Sequence, residues 1–311
     1  MLQAVLYGAG DLRFEEKAID ASTLAPDEIY VETEVTALST GTDLGNYLGD
    51  SGYVPDAPKY PRWVGYSNCG IVRATGAAVT SVQPGDRVFA PKPHQSAYIA
   101  RVGELVVRAP ADVSPEQVSL IYLANLGLAA LERVHFQPGE DVAVVGLGVI
   151  GLCTVALARA LGAGKVIAMA NSEERWEAAC RMGAMDSDGE ADVVVLTANP
   201  WEAYARAMEG ARFGGRVAVL GFPGRAQGPP PFNPMAPEWM YLKQLTVAGA
   251  GRARDVRGNL EAILGWMSTG RLNLEPLISH RLPARRMLEA YELAKARSKL
   301  LTAAVFDWRG E

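Results

Sequence analysis

The stretch VAVVGLGVIGL, residues 142–152, sets Gly146, Gly148 and Gly151 in a G-x-G-x-x-G array. A short apolar run leads into it, and the alanine-rich LCTVALARALGA follows with a helical pattern. This spacing suits a dinucleotide. The first glycine permits a tight turn after a strand, the second lets the backbone approach a pyrophosphate, and the third lets helix and strand pack. The helix N-terminus then points at the phosphates. A lone motif of this kind is weak evidence, but here KVIAMA supplies a second strand and completes a β-α-β unit. Val149 and Ile150 inside the motif, and Thr197 and Gly221 just after later strands, complete that edge of the expected cofactor site.

The second strand's end indicates which dinucleotide is expected. An Asp or Glu there would bond the ribose 2′-hydroxyl and repel a 2′-phosphate. The chain instead reads Ala170, Asn171 and Ser172, with Arg175 one helical turn on. An amide, a hydroxyl and a guanidinium suit a 2′-phosphate, so NADP is expected over NAD. Glu173 and Glu174 weaken the positive field and leave NAD open, and Ser172 is equally a residue type that caps helices.

These residues need a scaffold, and the pattern along the chain describes one. Up to about residue 110, short runs (QAVLY, EIYVETEVTAL, CGIVRA, DRVFA, SAYIAR, ELVVR) sit between Pro and Gly clusters and read as strands. At Ser114 the pattern turns helical: SPEQ offers a Ser cap, a Pro at the first helical position and a Gln three residues after the cap. Strands then alternate with helices: 142–146, a helix from 149, KVIAMA, a helix from 172, DVVVL, a helix from 201, GRVAVLG, a helix near 236–242, and LTVAG. Such alternation predicts an α/β fold with a doubly wound parallel sheet. A helix over 256–268, LISHRLP, a helix from 284 and LTAAVFDW follow, the last expected to return to the first domain.

With 311 residues, 49% hydrophobic and 21% charged, the chain is long enough for two domains with their own cores. A net charge of −5 argues against nucleic acid as a partner. No apolar run reaches the roughly 18 to 20 residues of a membrane span, and no basic region precedes an apolar segment at the start, so a cytoplasmic protein is expected. Cys69, Cys153 and Cys180 lie far apart without a C-x-x-C, which suggests neither a disulfide framework nor a structural zinc cluster.

The succession STGTDLGNYLG (39–49), YPRWVGYSNCGIVRATGAAV (60–79), VQPGDRVFA (82–90) and QPGEDVAVVGLGVIG resembles the medium-chain dehydrogenase/reductase superfamily over essentially the whole chain. The resemblance implies a GroES-like β domain (residues 1–115 and 270–311) and a Rossmann domain (116–269), with the active site between them. It also implies a homodimer, with QLTVAGA (244–250) as the pairing edge, and pocket walls from loops around Asn46 to Tyr60 and Trp239 to Tyr241. The departures from the family pattern bear on mechanism. Zinc-dependent members carry Cys where this chain has Thr40, and His-Glu where it has Tyr66-Ser67, and their third ligand falls near Ile121 or Tyr122. Hydroxyls and a phenol do not hold zinc firmly, so no catalytic metal is expected.

Without a Lewis acid, side chains must polarise and protonate the substrate oxygen. By its place in the resemblance, Thr42 is expected to relay the alcohol proton. Tyr66 is expected to bond the oxygen or act as acid, His94 to shuttle the proton, and Thr40 to line the site. The expected function is a zinc-independent oxidoreductase moving a hydride between NADP(H) and a small alcohol or carbonyl substrate. Reduction of an enone or quinone C=C bond, and a nicotinamide-binding sensor or scaffold without turnover, stand as alternatives.

Overall fold

The computed structural model describes residues 1–50, 60–225 and 227–311. Residues 51–59, part of one expected pocket wall, lie outside them. The amino-terminal segment forms β1 (Leu2–Gly8), β2 (Asp11–Glu16), β3 (Glu28–Ala37), α1 (Thr42–Tyr47), β4 (Arg62–Trp63), β5 (Asn68–Thr75), β6 (Arg87–Ala90), β7 (Ala97–Arg101) and β8 (Val107–Arg108). Helix α2 (Pro115–Arg133) opens the alternating part: β9 (Val142–Val145), α3 (Val149–Ala160), β10 (Val166–Met169), α4 (Glu173–Arg181), β11 (Ala191–Leu196), α5 (Trp201–Glu209), β12 (Ala211–Val219) and β13 (Thr246–Gly249). The chain finishes with α6 (Val256–Ser268), β14 (Ile278–Pro283), α7 (Met287–Lys295) and β15 (Ala303–Asp307).

Two compact units result. The first holds 1–122, 260–268 and 278–311, and the second 123–259 and 269–277. The expected limits at 115/116 and 269/270 therefore shift. Residues 116–122 of α2 and 260–268 of α6 join the first unit, while 270–277 join the second. No composition break marks these points, because both limits run through or beside continuous helices.

In the first unit, a seven-stranded sheet runs β14-β15-β3-β5-β6-β8 with β7 also on β3, beside a three-stranded sheet β2-β1-β4. Strand β3 shows why its sequence forms a half-buried strand. Ile29, Val31, Thr33 and Val35 alternate inward while Tyr30 and Glu32 face out or sit at the margin. β15 pairs antiparallel with β3, Val305 opposite Ala37, so the chain's last strand returns to the first sheet. The charge-rich β2 and the six-residue α1 went unread in the sequence: in DLRFEE the strand period rests on Leu12 and Phe14 alone, set among charged residues, and α1 is too short to display a helical period.

In the second unit, five parallel strands run β10-β9-β11-β12-β13. β9 and β10 are buried at every position and β11 at all but one, as expected where helices cover both faces of a sheet. Beyond β10 there is one isolated bridge, Ile167 with Asp186. Helix α3 buries nine of its twelve residues and carries no acidic side chain in its first turn, so its leading amides have no intrahelical carboxylate to compete for them. This is the α/β, doubly wound arrangement that the alternation predicted.

Candidate active site

In the first unit the site is built around a buried carboxylate. Asp43, in the first turn of α1, accepts from the Ser39 amide at 2.9 Å and from the Gly65 amide at 3.1 Å. One side chain thereby fixes the turn before α1 to the turn before β5, and with it the positions of Ser39 and Tyr66. The Tyr66 hydroxyl donates to Ser39 Oγ at 2.6 Å, and the Thr42 hydroxyl also lies near the phenol. Burial pushes the Tyr66 ionisation up, the Asp43 charge pushes it further, and the two hydroxyl contacts only partly oppose this. Tyr66 is therefore a neutral hydrogen-bond donor at physiological pH. Its ring meets Tyr122 edge-on at 5.5 Å, and Tyr122 stacks on Phe89 at 6.1 Å.

Thr42 is exposed at the head of α1, and Thr40 and Tyr66 are half-buried beside it. His94 is different. The ring has 0% exposure, Nδ1 lies 2.8 Å from Thr36 Oγ1, and Trp308 Nε1 donates to that same oxygen at 2.9 Å. Phe306 packs edge-on against it at 5.2 Å, and a Cβ added at Gly65 would lie 2.6 Å from its Cγ. The expected shuttle role is corrected on this ground: a ring with no accessible surface cannot touch a substrate oxygen. His94 Nε2 faces Asp43 Oδ2 at 3.8 Å without a hydrogen-bond partner. Trp308 and Thr36 together hold the ring so that its Nε2 edge is turned to the carboxylate. His94 thus backs the residue that organises the site.

The positions where zinc ligands would fall carry Thr40, Tyr66 and Ile121 or Tyr122. No group of three or more His, Cys, Asp and Glu suited to a metal occurs among the described residues. This donor set does not fit zinc, which takes thiolate, imidazole or carboxylate. Sequence reading missed two contributors. Ser39 receives the phenol hydrogen and Tyr122 holds the phenol ring; only the tyrosine's place in the family pattern had drawn notice, and nothing in the spacing marked Ser39.

In the second unit the glycine array lies where β9 gives way to α3. Gly146 has φ +97°, and a Cβ at Gly151 would fall 1.9 Å from Gly146 O, so only glycine fits there. A Cβ at Gly148 would meet nothing within 4 Å, and this residue caps α3 without a side chain. Open space over an uncapped helix start of twelve residues fits a pyrophosphate. Val149 is buried and Ile150 half-buried in the first turn. Thr197 Oγ1 donates to Gly146 O at 2.6 Å, and the Gly221 amide donates to Leu196 O at 2.9 Å, which brings both to the same strand edge.

At the end of β10, Ser172 caps α4, accepting from the Arg175 amide at 3.4 Å. Asn171 is exposed beside it. Arg175 Nη1 donates to Leu147 O at 3.2 Å, and desolvation lowers its affinity for the proton while the Glu174 charge raises it. A half-buried guanidinium therefore stands over the glycine turn, where a phosphate can be met.

Two family models match the chain. One, described as alcohol dehydrogenase GroES-like domain, covers residues 25–108, and the other, described as zinc-binding dehydrogenase, covers 149–269. The second span includes none of Thr40, Tyr66, Ile121 or Tyr122. Sorbitol dehydrogenase from Gallus gallus is 25% identical, with 94% of this chain and 93% of the relative covered. The crystal structure of galactitol-1-phosphate dehydrogenase from Escherichia coli superposes with a TM-score of 0.84 at 21% identity, covering 99% of this chain and 100% of the other. A structure from Sinorhizobium meliloti 1021 bound to NADP gives 0.81 at 21% identity, with 98% of each chain covered.

Proposed function

The chain belongs to the medium-chain dehydrogenase/reductase superfamily, and from that premise we propose that it is a zinc-independent oxidoreductase acting on a small alcohol or carbonyl compound with NADP(H). The names of its relatives favour a polyol or a related secondary alcohol over an enone. When bound, the dinucleotide supplies or accepts the hydride. Gly146, Gly148, Val149, Ile150, Gly151, Thr197 and Gly221 would hold its pyrophosphate and neighbouring groups. Asn171, Ser172 and Arg175 would hold the adenosine ribose and its phosphate.

The remaining work falls to hydroxyls. The observation that carries this reading is the Tyr66 phenol, kept protonated by burial and by Asp43, and bonded to Ser39 with the Thr42 hydroxyl near it. In reduction, the phenol hydrogen now given to Ser39 turns to the substrate oxygen as charge develops there. In oxidation, the exposed Thr42 hydroxyl takes the alcohol proton as the hydride leaves for the dinucleotide and releases its own proton to solvent, while the Tyr66 phenol holds the oxygen. Thr40 lines the approach. Asp43, braced by His94, keeps the three hydroxyls in register.

The test is nicotinamide absorbance followed over a panel of polyols and their ketoses. Turnover that needs no added metal supports the reading, and tight NADPH binding without turnover on any alcohol, ketose or enone would leave the sensor alternative in its place. We further propose a homodimer paired through β13, which among the described residues is bonded on one side only, to β12. No helix among the described residues is long and apolar enough to cross a membrane, and a cytoplasmic location is proposed with the enzyme reading.

A further inference from the structure

We propose that Arg206, on α5, supplies a second guanidinium for the 2′-phosphate and is a specificity-determining residue alongside Arg175; this rests on the NADP reading above. Arg206 Nη1 donates to the carbonyl oxygen of Ala170 at 3.1 Å. Ala170, with Asn171 and Ser172, occupies the place where a carboxylate for the ribose hydroxyl was expected. Across the sheet edge, Arg175 reaches from α4 to the carbonyl of Leu147. The two anchors follow adjacent strands, since Met169 of β10 pairs with Val145 of β9 one residue before Ala170 and two before Leu147. Both guanidiniums are thus anchored to backbone carbonyls just past the carboxyl ends of neighbouring parallel strands.

Arg206 is half-buried and in no ion pair among the described residues, although Glu202 precedes it by one helical turn. One neutral carbonyl is a small return for a fork with five N–H donors taken partly out of water. An anion of the shape of a phosphate completes it, because the planar fork matches two phosphate oxygens. The methyl of Ala170 carries no charge that would repel that anion. A purely structural Arg206, sealing the Ala170 carbonyl, would have no reason to distinguish a phosphorylated from an unphosphorylated ribose.

Calorimetric titration of the full chain with 2′,5′-ADP and with 5′-AMP separates these cases without any turnover. The unmodified protein should prefer 2′,5′-ADP. Arg206→Gln should weaken 2′,5′-ADP about 10-fold or more while leaving 5′-AMP within about 2-fold, and Arg206→Lys, which keeps the charge but loses the fork, should fall between. Equal weakening of both nucleotides, or an unchanged preference, overturns the assignment of Arg206. If the unmodified protein itself shows no preference for 2′,5′-ADP, the NADP reading fails first and the assignment with it. Should the Gln variant not fold, full retention of the preference in the Lys variant would count against a fork-shaped contact.

Discussion

Thr42 and Tyr66 differ in how they are held, and their variants should differ accordingly. Thr42 is exposed at the head of a short helix, so Thr42→Val should fold normally and lose about 100-fold or more in kcat with cofactor affinity kept. Tyr66→Phe removes the donor but keeps the ring against Tyr122, and steady-state kinetics should report a loss of similar size. The pH profile carries a sign. Because the folded environment raises the phenol's ionisation above 10.0, the unmodified enzyme should show no phenol-linked loss of kcat/KM up to about that pH. An alkaline limb below pH 9 that vanishes in Tyr66→Phe would contradict the environment described. Arg175→Ala should weaken NADPH far more than NADH in fluorescence titrations, and equal effects would remove the 2′-phosphate from its account. The residue types were legible from the sequence, but their partners were not. Thr42 and Tyr66 drew notice as replacements in a family pattern, whereas Ser39 had no chemical mark until folding set it 2.6 Å from the phenol.

The β9–α3 turn leaves no freedom at its third glycine. Gly151→Ala would drive a methyl into Gly146 O, and the overpacking should cost about 1–3 kcal/mol, read as a lower denaturant midpoint together with loss of dinucleotide binding. The turn before β5 makes the same kind of demand for another reason. Gly65 has φ +87° and lies against the His94 ring, so Gly65→Ala should destabilise by a similar amount and displace Tyr66, whose backbone follows directly. A variant that stayed as stable as the original and fully active would show that the ring can move aside. Long periodic or wholly apolar elements were readable because their pattern repeats within a few residues: VAVV, VIAM and α3, whose one charge is Arg159 in its last turn, announce a covered parallel sheet. DLRFEE and TDLGNY were not, since the first carries only Leu12 and Phe14 at strand period among charges and the second is too short to repeat, and neighbours in the fold hold both in place.

For the chain as a whole, two measurements follow from the burial of its thiols and from its donor set. The Cys153 thiol, wholly enclosed by α3 packing, is pushed up to about 12 from an ordinary 9.0, and Cys69 is raised by burial as well. A raised folded value means stability complete below the unfolded ionisation and declining above it. The unfolding free energy should therefore fall from about pH 9 upward, by up to about 1.4 kcal/mol per pH unit for each such thiol, and the melting temperature with it. Cys153→Ala should shallow that decline. Elemental analysis of the purified protein should find zinc well below one equivalent; a full, tightly held equivalent would overturn the hydroxyl-based site.

The order of strands and helices, the glycine turn and the missing carboxylate after β10 were fixed locally, because each depends on side chains within one turn or one strand of each other. The contacts that assign roles join residues remote in the chain: Tyr66 to Ser39 across 27 positions, His94 to Thr36 across 58, and Arg206 to Ala170 across 36. Hydrophobic burial drew those segments together, and it alone sealed His94 inside while leaving Thr42 in the open. Residue type told which groups could carry a proton, and packing chose which of them can reach one.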